Sequence, residues 1–269
     1  MIGVGSMGGA ILSGLMAPGI RIALPITVTT QSALSAASRA VEERVVALAA
    51  ETHPDANRDA VRGAGLVILG VKPWLIHDVV REIAADLEPG TVLVSVAAGV
   101  TSASIEALLP AGIAVVRAMP NTPSHIGFGM TGIAGGATAA PADVELARAL
   151  FATVGEVIEV GEAQINDVAA VSGSGPAYVF LYAEHMIAAA ERRGFTPEQA
   201  RLLVQQTLVG SAELLARSDD GPAQLRRNVT SPKGTTERAI EVLQGDDWGA
   251  LFDRALAANV QRSEELEGA

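Results

Sequence analysis

The 269-residue sequence predicts an α/β domain built on a parallel sheet, followed by an all-α domain. Three observations carry that prediction. Up to about residue 160, short apolar runs alternate with helical stretches, as strand–helix–strand units require. Two of the runs, LVILGV (Leu66–Val71) and TVLVSV (Thr91–Val96), are nearly all apolar, as strands covered on both faces are. After about Gly161 no convincing strand recurs and long segments with helix start and stop signals take over. The predicted division is therefore 1–160 and 161–269.

The chain opens MIGVGSMGG. Gly3, Gly5 and Gly8 have the spacing G-x-G-x-x-G, with Ser6 and Met7 inside it. That spacing lets a tight turn pass a dinucleotide pyrophosphate when a strand enters the turn and a helix leaves it. Ala10, Ile11, Leu12, Leu15 and Met16 supply the helix, but only Met1 and Ile2 precede the first glycine. Taken alone, the glycines also fit an ordinary glycine-rich turn; the alternation that follows favours a nucleotide site. The strands expected next are Ile26–Thr30, Val45–Leu48, Leu66–Val71, Val92–Val96, Ala114–Arg117, Met130–Ala134 and Val157–Val160. Helical segments are expected between them, such as Leu75–Ala85, Ala103–Leu109 and Ala142–Thr153. In the second half, Pro176–Arg193 has proline in its first turn and Gly194 just past its end. Pro197–Arg217 carries Val204, Leu208, Ala212 and Leu215 near one stripe. Thr235–Leu243 and Trp248–Glu264 complete the helical set.

Composition narrows the function. Aromatics make up only 3%, so the core is aliphatic, and 30 acidic against 19 basic residues give a net charge of -11. That balance disfavours a nucleic-acid-binding surface. No cysteine is present, which excludes disulfides, thiolate catalysis and cysteine metal sites. The histidines (His53, His77, His125, His185) are scattered, so no metal site is expected. No apolar run approaches the roughly 20 residues of a membrane span, and the opening lacks a signal peptide's charged region. The sequence reads as a soluble, cytoplasmic protein.

Several stretches point to chemistry. The end of the first full strand, ITVTTQSALSAASRA, has no acid before Glu42. An NAD-specific site usually places Asp or Glu there to bond the ribose hydroxyls. Thr30, Gln31 and Ser32 instead offer hydrogen bonds to a 2′-phosphate, with Arg39 a further candidate, so NADPH is the expected cofactor and NADH a second one. Ligands of open α/β sheets sit at the carboxyl ends of strands. ILGVKPW puts Val71, Lys72 and Pro73 at such an end, and Lys72 is a catalytic candidate, although a lysine there is more often simply solvated. SVAAGV ends the next strand with Ala97, Ala98 and Gly99, small enough for close approach of a flat ring. RAMPNTPSHIGFG is a loop fixed by Pro120 and Pro123, with Asn121 able to give and accept hydrogen bonds. In the helical half, AVSGSGPAYVF and NVTSPKGTTERAI each lead into a helix. Gly234, Thr235 and Thr236 at such a start suit a carboxylate, or equally an ordinary N-cap.

GVGSMGGAI, VKP, SVAAGV, AMPNTP, SGSGPAY and SPKGTT, in this order and spacing, closely resemble the pyrroline-5-carboxylate reductases, which catalyse the last step of proline synthesis. The resemblance runs from Gly3 to about Leu243. It implies an N-terminal Rossmann-type domain and a C-terminal helical dimerisation domain that interleaves with a twofold partner, giving a homodimer that often assembles further. It also implies an active site between one subunit's cofactor crevice and helical segments at the dimer interface. Gly3–Gly8 would hold pyrophosphate, Thr30–Ser32 the adenosine phosphate, and Asn57 the adenosine-side ribose. Val71–Pro73 and Ala97–Gly99 would flank the nicotinamide, with Asn121 among the cofactor residues. Ser231, Gly234, Thr235 and Thr236 would cradle the carboxylate of 1-pyrroline-5-carboxylate, with Asn228 nearby and Thr236 reaching the ring nitrogen.

Two departures stand out. Lys233 occupies a position where the family commonly has glycine. The strand that should feed the glycine turn is cut to two residues, which predicts a start upstream of Met1 or added residues in that slot. The competing readings are a related NADP-dependent imine reductase or β-hydroxyacid dehydrogenase, and a non-catalytic nucleotide-binding relative. A hydroxyacid dehydrogenase uses a lysine in its helical domain, and past residue 160 the only lysine is Lys233, in a loop.

Overall fold

The structure, a computed structural model, describes residues 1–22, 25–40, 44–245 and 247–267. Glu42, the first acid after the β1 region, lies outside them. The chain forms two compact units, Met1–Pro176 with Ala258–Ala269, and Ala177–Ala257.

In the first unit the glycine turn runs into α1 (Ser6–Leu15), then β1 (Ile26–Thr30), α2 (Ala33–Arg39), β2 (Val45–Ala49), α3 (Ala56–Val61) and β3 (Leu66–Leu69). There follow α4 (Ile76–Ile83), β4 (Val92–Ser95), α5 (Ser102–Glu106), β5 (Ala114–Met119), β6 (Gly129–Gly135), α6 (Pro141–Phe151) and β7 (Gly155–Glu159). A short α7 (Ile165–Val168) passes into one π-helical turn, Ala169–Gly173. The strand order is β2-β1, then Ile2, then β3-β4-β5-β6-β7, because Ile2 makes parallel bridges to both Thr29 and Leu69. Met1 and Ile2 thus occupy the central place of a Rossmann-type sheet. The two residues are fully used: Thr29 N donates to Met1 O at 2.9 Å, Ile2 N to Ile68 O at 2.8 Å, and Gly70 N to Ile2 O at 2.8 Å.

Period-two alternation splits the core between the two faces of the sheet. Ile68, Val92, Val94 and Val116 join Ile11, Leu12, Leu150 and Phe151 of α1 and α6 on one face. Val67, Leu69, Leu93 and Val115 join Val61, Ile76, Val80, Ile83 and Ile105 of α3, α4 and α5 on the other. The parallel sheet is therefore covered on both sides, as the apolar runs predict. One pairing differs: β5 and β6 are antiparallel, Val116 opposite Gly135 and Met119 opposite Gly132. The connection 120–128 is too short for a parallel crossover, which takes a dozen or more residues.

The division of the chain also differs from the expected 160/161. Residues up to Pro176 stay with the sheet because Ile165, Val168 and Ala169 pack with Met119 and Ala134. Residues from Ala258 return to it through a buried ion pair, Arg117 Nη2 to Glu267 Oε1 at 2.9 Å. Glu162 lies 3.3 Å from Arg117 Nη1 on the same guanidinium.

The second unit is helical: most of α8 (Gly175–Arg192), α9 (Pro197–Arg217), α10 (Pro222–Asn228), α11 (Thr235–Gly245) and most of α12 (Trp248–Glu267). α9 begins on a reciprocal cap, Thr196 Oγ1 accepting from Gln199 N and Gln199 Oε1 from Thr196 N, with Pro197 in the first turn. α8 has no buried residue, and α9 only Ala200 and Val204. Phe180, Leu181, Met186, Leu202, Leu203 and Val209 are exposed in the single chain. Among the described residues no helix is long and apolar enough to cross a membrane.

Candidate active site

The glycine turn has three different steric demands. Gly3 has φ +79°, and a Cβ there would lie 2.6 Å from Val71 Cγ1. A Cβ on Gly8 would meet Gly3 O at 2.9 Å. Gly5 is different: a Cβ there meets nothing within 4 Å. The protein itself therefore leaves the space over Gly5 open. No side chain caps α1, so the N–H groups of Ser6, Met7 and Gly8 face outward at its first turn. An open backbone and unpaired donors at the start of a ten-residue helix fit a diphosphate. Ser6 Oγ lies 2.9 Å from His125 Nε2, a ring the sequence reading did not single out.

Val71 packs beside this turn, so the VKP segment borders the same crevice. β3 ends at Leu69 rather than Val71, since Gly70 and Val71 turn away to meet the glycine loop. Lys72 is exposed, and Pro73 opens a single 3-10 turn ahead of α4. After β4, Ala97 is buried and Ala98 half-buried. Gly99 (φ +67°) has a packing reason of its own: a Cβ there would lie 2.8 Å from Leu266 Cβ of α12. Asn121 is 8% exposed and its amide is committed at both ends, Nδ2 to Ser172 O at 3.0 Å and Oδ1 to Met130 N at 2.9 Å. It fixes the loop rather than presenting a free amide to a ligand.

At the carboxyl end of β1, Thr30 Oγ1 donates to Ser32 O at 3.0 Å. Ser32 caps α2, its Oγ accepting from Ser35 N at 3.2 Å and donating to Ser35 Oγ at 3.0 Å. Gln31 is exposed beside them. Arg39 does not join this group. It sits in the last turn of α2, the opposite end from Ser32, and its guanidinium lies against Gly9 of α1. Asn57, in the first turn of α3, donates from Nδ2 to Glu82 Oε2 at 3.0 Å.

The remaining predicted residues lie in the helical unit. Ser231 and Gly234 close a turn, Gly234 N to Ser231 O at 3.0 Å, and a Cβ on Gly234 would strike Ser231 Oγ at 2.5 Å. Thr235 begins α11 and Thr236 follows. Among the described residues neither threonine hydroxyl is engaged by another protein group. Lys233 has φ +60°, and its N–H donates to Glu237 Oε2 at 2.8 Å. Asn228 is drawn into a local net, bonded to Gln224 at 2.7 Å and Asp220 at 3.2 Å.

A sequence profile described as pyrroline-5-carboxylate reductase dimerisation matches residues 162–266, and one described as NADP oxidoreductase, coenzyme F420-dependent, matches residues 1–99. A pyrroline-5-carboxylate reductase of Pseudomonas aeruginosa is 41% identical over 266 residues, 98% of this chain and 95% of the relative. The chain belongs to the pyrroline-5-carboxylate reductase family. The Escherichia coli reductase is 35% identical over 98% of this chain and 96% of its own length. A solved Coxiella burnetii reductase matches with TM-score 0.89 and 40% identity over 98% of this chain and 96% of that one. A Plasmodium falciparum pyrroline carboxylate reductase solved with NADP bound matches with TM-score 0.84 and 25% identity, over 99% and 96% of the two chains.

For a pyrroline-5-carboxylate reductase, two polar features of this chain escaped the sequence reading. His125 lies in a loop read only as a turn, and no local signal links it to Ser6. Glu51 follows β2, its N–H donating to Gln31 O at 3.1 Å, so the acid-free stretch after β1 gives no sign of it. The available signal was the parallel pairing of β1 with β2, which brings both strand ends to one edge.

Proposed function

We propose that this chain catalyses the NAD(P)H-dependent reduction of 1-pyrroline-5-carboxylate to L-proline, as a cytoplasmic homodimer. The observation that carries the reading is the pairing of two open donor sets with full-length family membership: the α1 start beneath Gly5, and the free hydroxyls of Thr235 and Thr236 at the start of α11. The reduced nicotinamide supplies a hydride to the carbon of the substrate's C=N bond. Ser6, Met7 and Gly8 hold the diphosphate through backbone N–H groups, while Gly3, seated on Val71, keeps the turn against β3. Val71–Pro73 and Ala97–Gly99 border the nicotinamide half. Ser231, Gly234 and Thr235 hold the substrate carboxylate, and Thr236 donates to or accepts from the ring nitrogen.

A cyclic imine that arrives protonated is a ready hydride acceptor and then donates its N–H to Thr236, so the protein's contribution is positioning. Lys72 is exposed without an ion-pair partner among the described residues, which supports an electrostatic role near the cofactor rather than proton transfer. The acid-free end of β1 supports NADPH as far as that strand alone decides the choice. The apolar exposure of α8 and α9 supports a second copy of the chain as their cover. The test is oxidation of NADPH on addition of 1-pyrroline-5-carboxylate, with proline as the product. Cofactor binding without turnover would instead support a non-catalytic relative, and turnover restricted to hydroxyacids would support the dehydrogenase reading.

A further inference from the structure

The sheet edge where β1 and β2 end carries a carboxylate that β1 does not supply. Thr30 pairs with Ala49, and the ladder continues beyond both strands: Ala50 N donates to Thr30 O at 2.9 Å and Glu51 N to Gln31 O at 3.1 Å. Glu51 is thereby fixed beside Gln31 and Ser32. Its Oε2 accepts from Ala33 N at 2.9 Å. Its other oxygen has no partner among the described residues, and no described lysine or arginine pairs with it. Rossmann-type folds hold the adenosine ribose at this edge, where an acid accepts from the ribose hydroxyls of NAD and a cation accommodates the 2′-phosphate of NADP. Arg39, the nearest cation along α2, lies at the helix's other end against Gly9.

We infer that Glu51 is the residue that sets cofactor choice: it takes the place of the acid missing from β1, accepting from the 2′-hydroxyl of NADH and repelling the 2′-phosphate of NADPH. The inference rests on the dinucleotide-binding reading of the first unit and revises the simple expectation of NADPH preference. The Thr30 and Ser32 hydroxyls make hydrogen bonds within the segment, so they offset the repulsion only in part. The chain accepts NADH at least as well as NADPH.

Dissociation constants for NADPH and NADH, measured on the native chain, Glu51→Gln and Glu51→Ala, test this. Glu51→Gln keeps an acceptor for Ala33 N–H and removes only the charge, whereas Glu51→Ala removes both. The charge effect must appear in both variants: NADPH tightens by about tenfold, NADH does not, and the gain shrinks as salt is raised. Adenosine 2′,5′-bisphosphate should follow NADPH, and AMP should follow NADH. Native binding of both cofactors with a ratio indifferent to Glu51 in both variants would overturn the role of Glu51 alone. A native chain that binds neither cofactor would overturn the dinucleotide reading together with it.

Discussion

The two units are built from the same aliphatic alphabet and use it in opposite ways. In the first, strands alternate their side chains into two cores, and Leu69, Leu93, Val115 and Phe151 reach 0% exposure within one chain. In the second, α8 buries nothing, Phe180 is 66% exposed and Leu203 49%. A parallel sheet closes on itself once helices cover both faces. Long helices rich in apolar residues on more than one face need further neighbours. The first unit thus buries its core within one chain, whereas the second leaves its apolar helix faces open there, as the proposed homodimer requires.

The largest expected effect tests that contrast directly. Phe180→Asp and Leu203→Asp should abolish the dimer, and activity with it, because a buried unpaired carboxylate costs several kcal/mol. If the faces stayed in water the same changes would alter stability by no more than about 0.5 kcal/mol. Phe151→Ala should cost about 3–5 kcal/mol by leaving a cavity. Sedimentation together with melting at several protein concentrations separates the cases. The native Tm should rise with concentration, and a fully active monomer would break the comparison.

The same contrast explains what the sequence made legible. β1 and α9 have the predicted bounds because each carries a complete signal: an alternating run in one, a reciprocal cap with proline in the other. α2, α3 and α10 were given no bounds in advance: seven, six and seven residues leave little room for a 3.6-residue period. The antiparallel pairing of β6 with β5 within the expected parallel-sheet domain left no mark in the sequence, because apolar patterning is the same for either sense of pairing. Motif residues close in sequence are also joined in the structure, such as Ser231 with Gly234. The amide of Asn121 and the carboxylate of Glu51 depend on partners far along the chain, and no local pattern records those.

Met1 and Ile2 hold the central place of the first unit's sheet. In this chain the Met1 amine is buried and donates to Thr27 O at 2.7 Å, and burial lowers its pKa from 8.0 to about 5. The charged form is thus disfavoured in the fold. Between pH 5 and 8 the unfolded state binds more protons, so stability should rise with pH across that window. The change is about 4 kcal/mol, from about three pKa units at 1.36 kcal/mol each. An apolar extension upstream replaces the amine with an amide and should remove the dependence. Denaturant titrations at pH 5 and pH 8, with and without the extension, check both statements.

The proposed substrate role of Thr236, in the first turn of α11, can be tested apart from cofactor binding. Thr236→Ala should lower kcat/KM for the imine by roughly 1.5–3 kcal/mol, the range for a hydrogen bond to an ionised partner. NADPH affinity should stay the same, since the residues proposed to hold the cofactor lie in the first unit. Loss of NADPH binding with normal imine kinetics would assign Thr236 to the cofactor instead.

The smallest effect concerns Lys233, whose φ of +60° explains why glycine suits this position. A side chain held in the left-handed region costs about 1–2 kcal/mol, and glycine gives part of that back through the greater freedom of the unfolded chain. Lys233→Gly should therefore stabilise the protein by up to about 1 kcal/mol. The bond from its N–H to Glu237 survives the change, because it is made by the backbone. Lys233→Ala retains the strained backbone while removing the charge, so the two variants divide strain from electrostatics. The ammonium is exposed and has no ion-pair partner among the described residues, so KM for the imine should be unchanged in both variants. A rise in KM common to both would instead show the cation acting on the substrate carboxylate, and a loss of stability in the glycine variant alone would refute the strain.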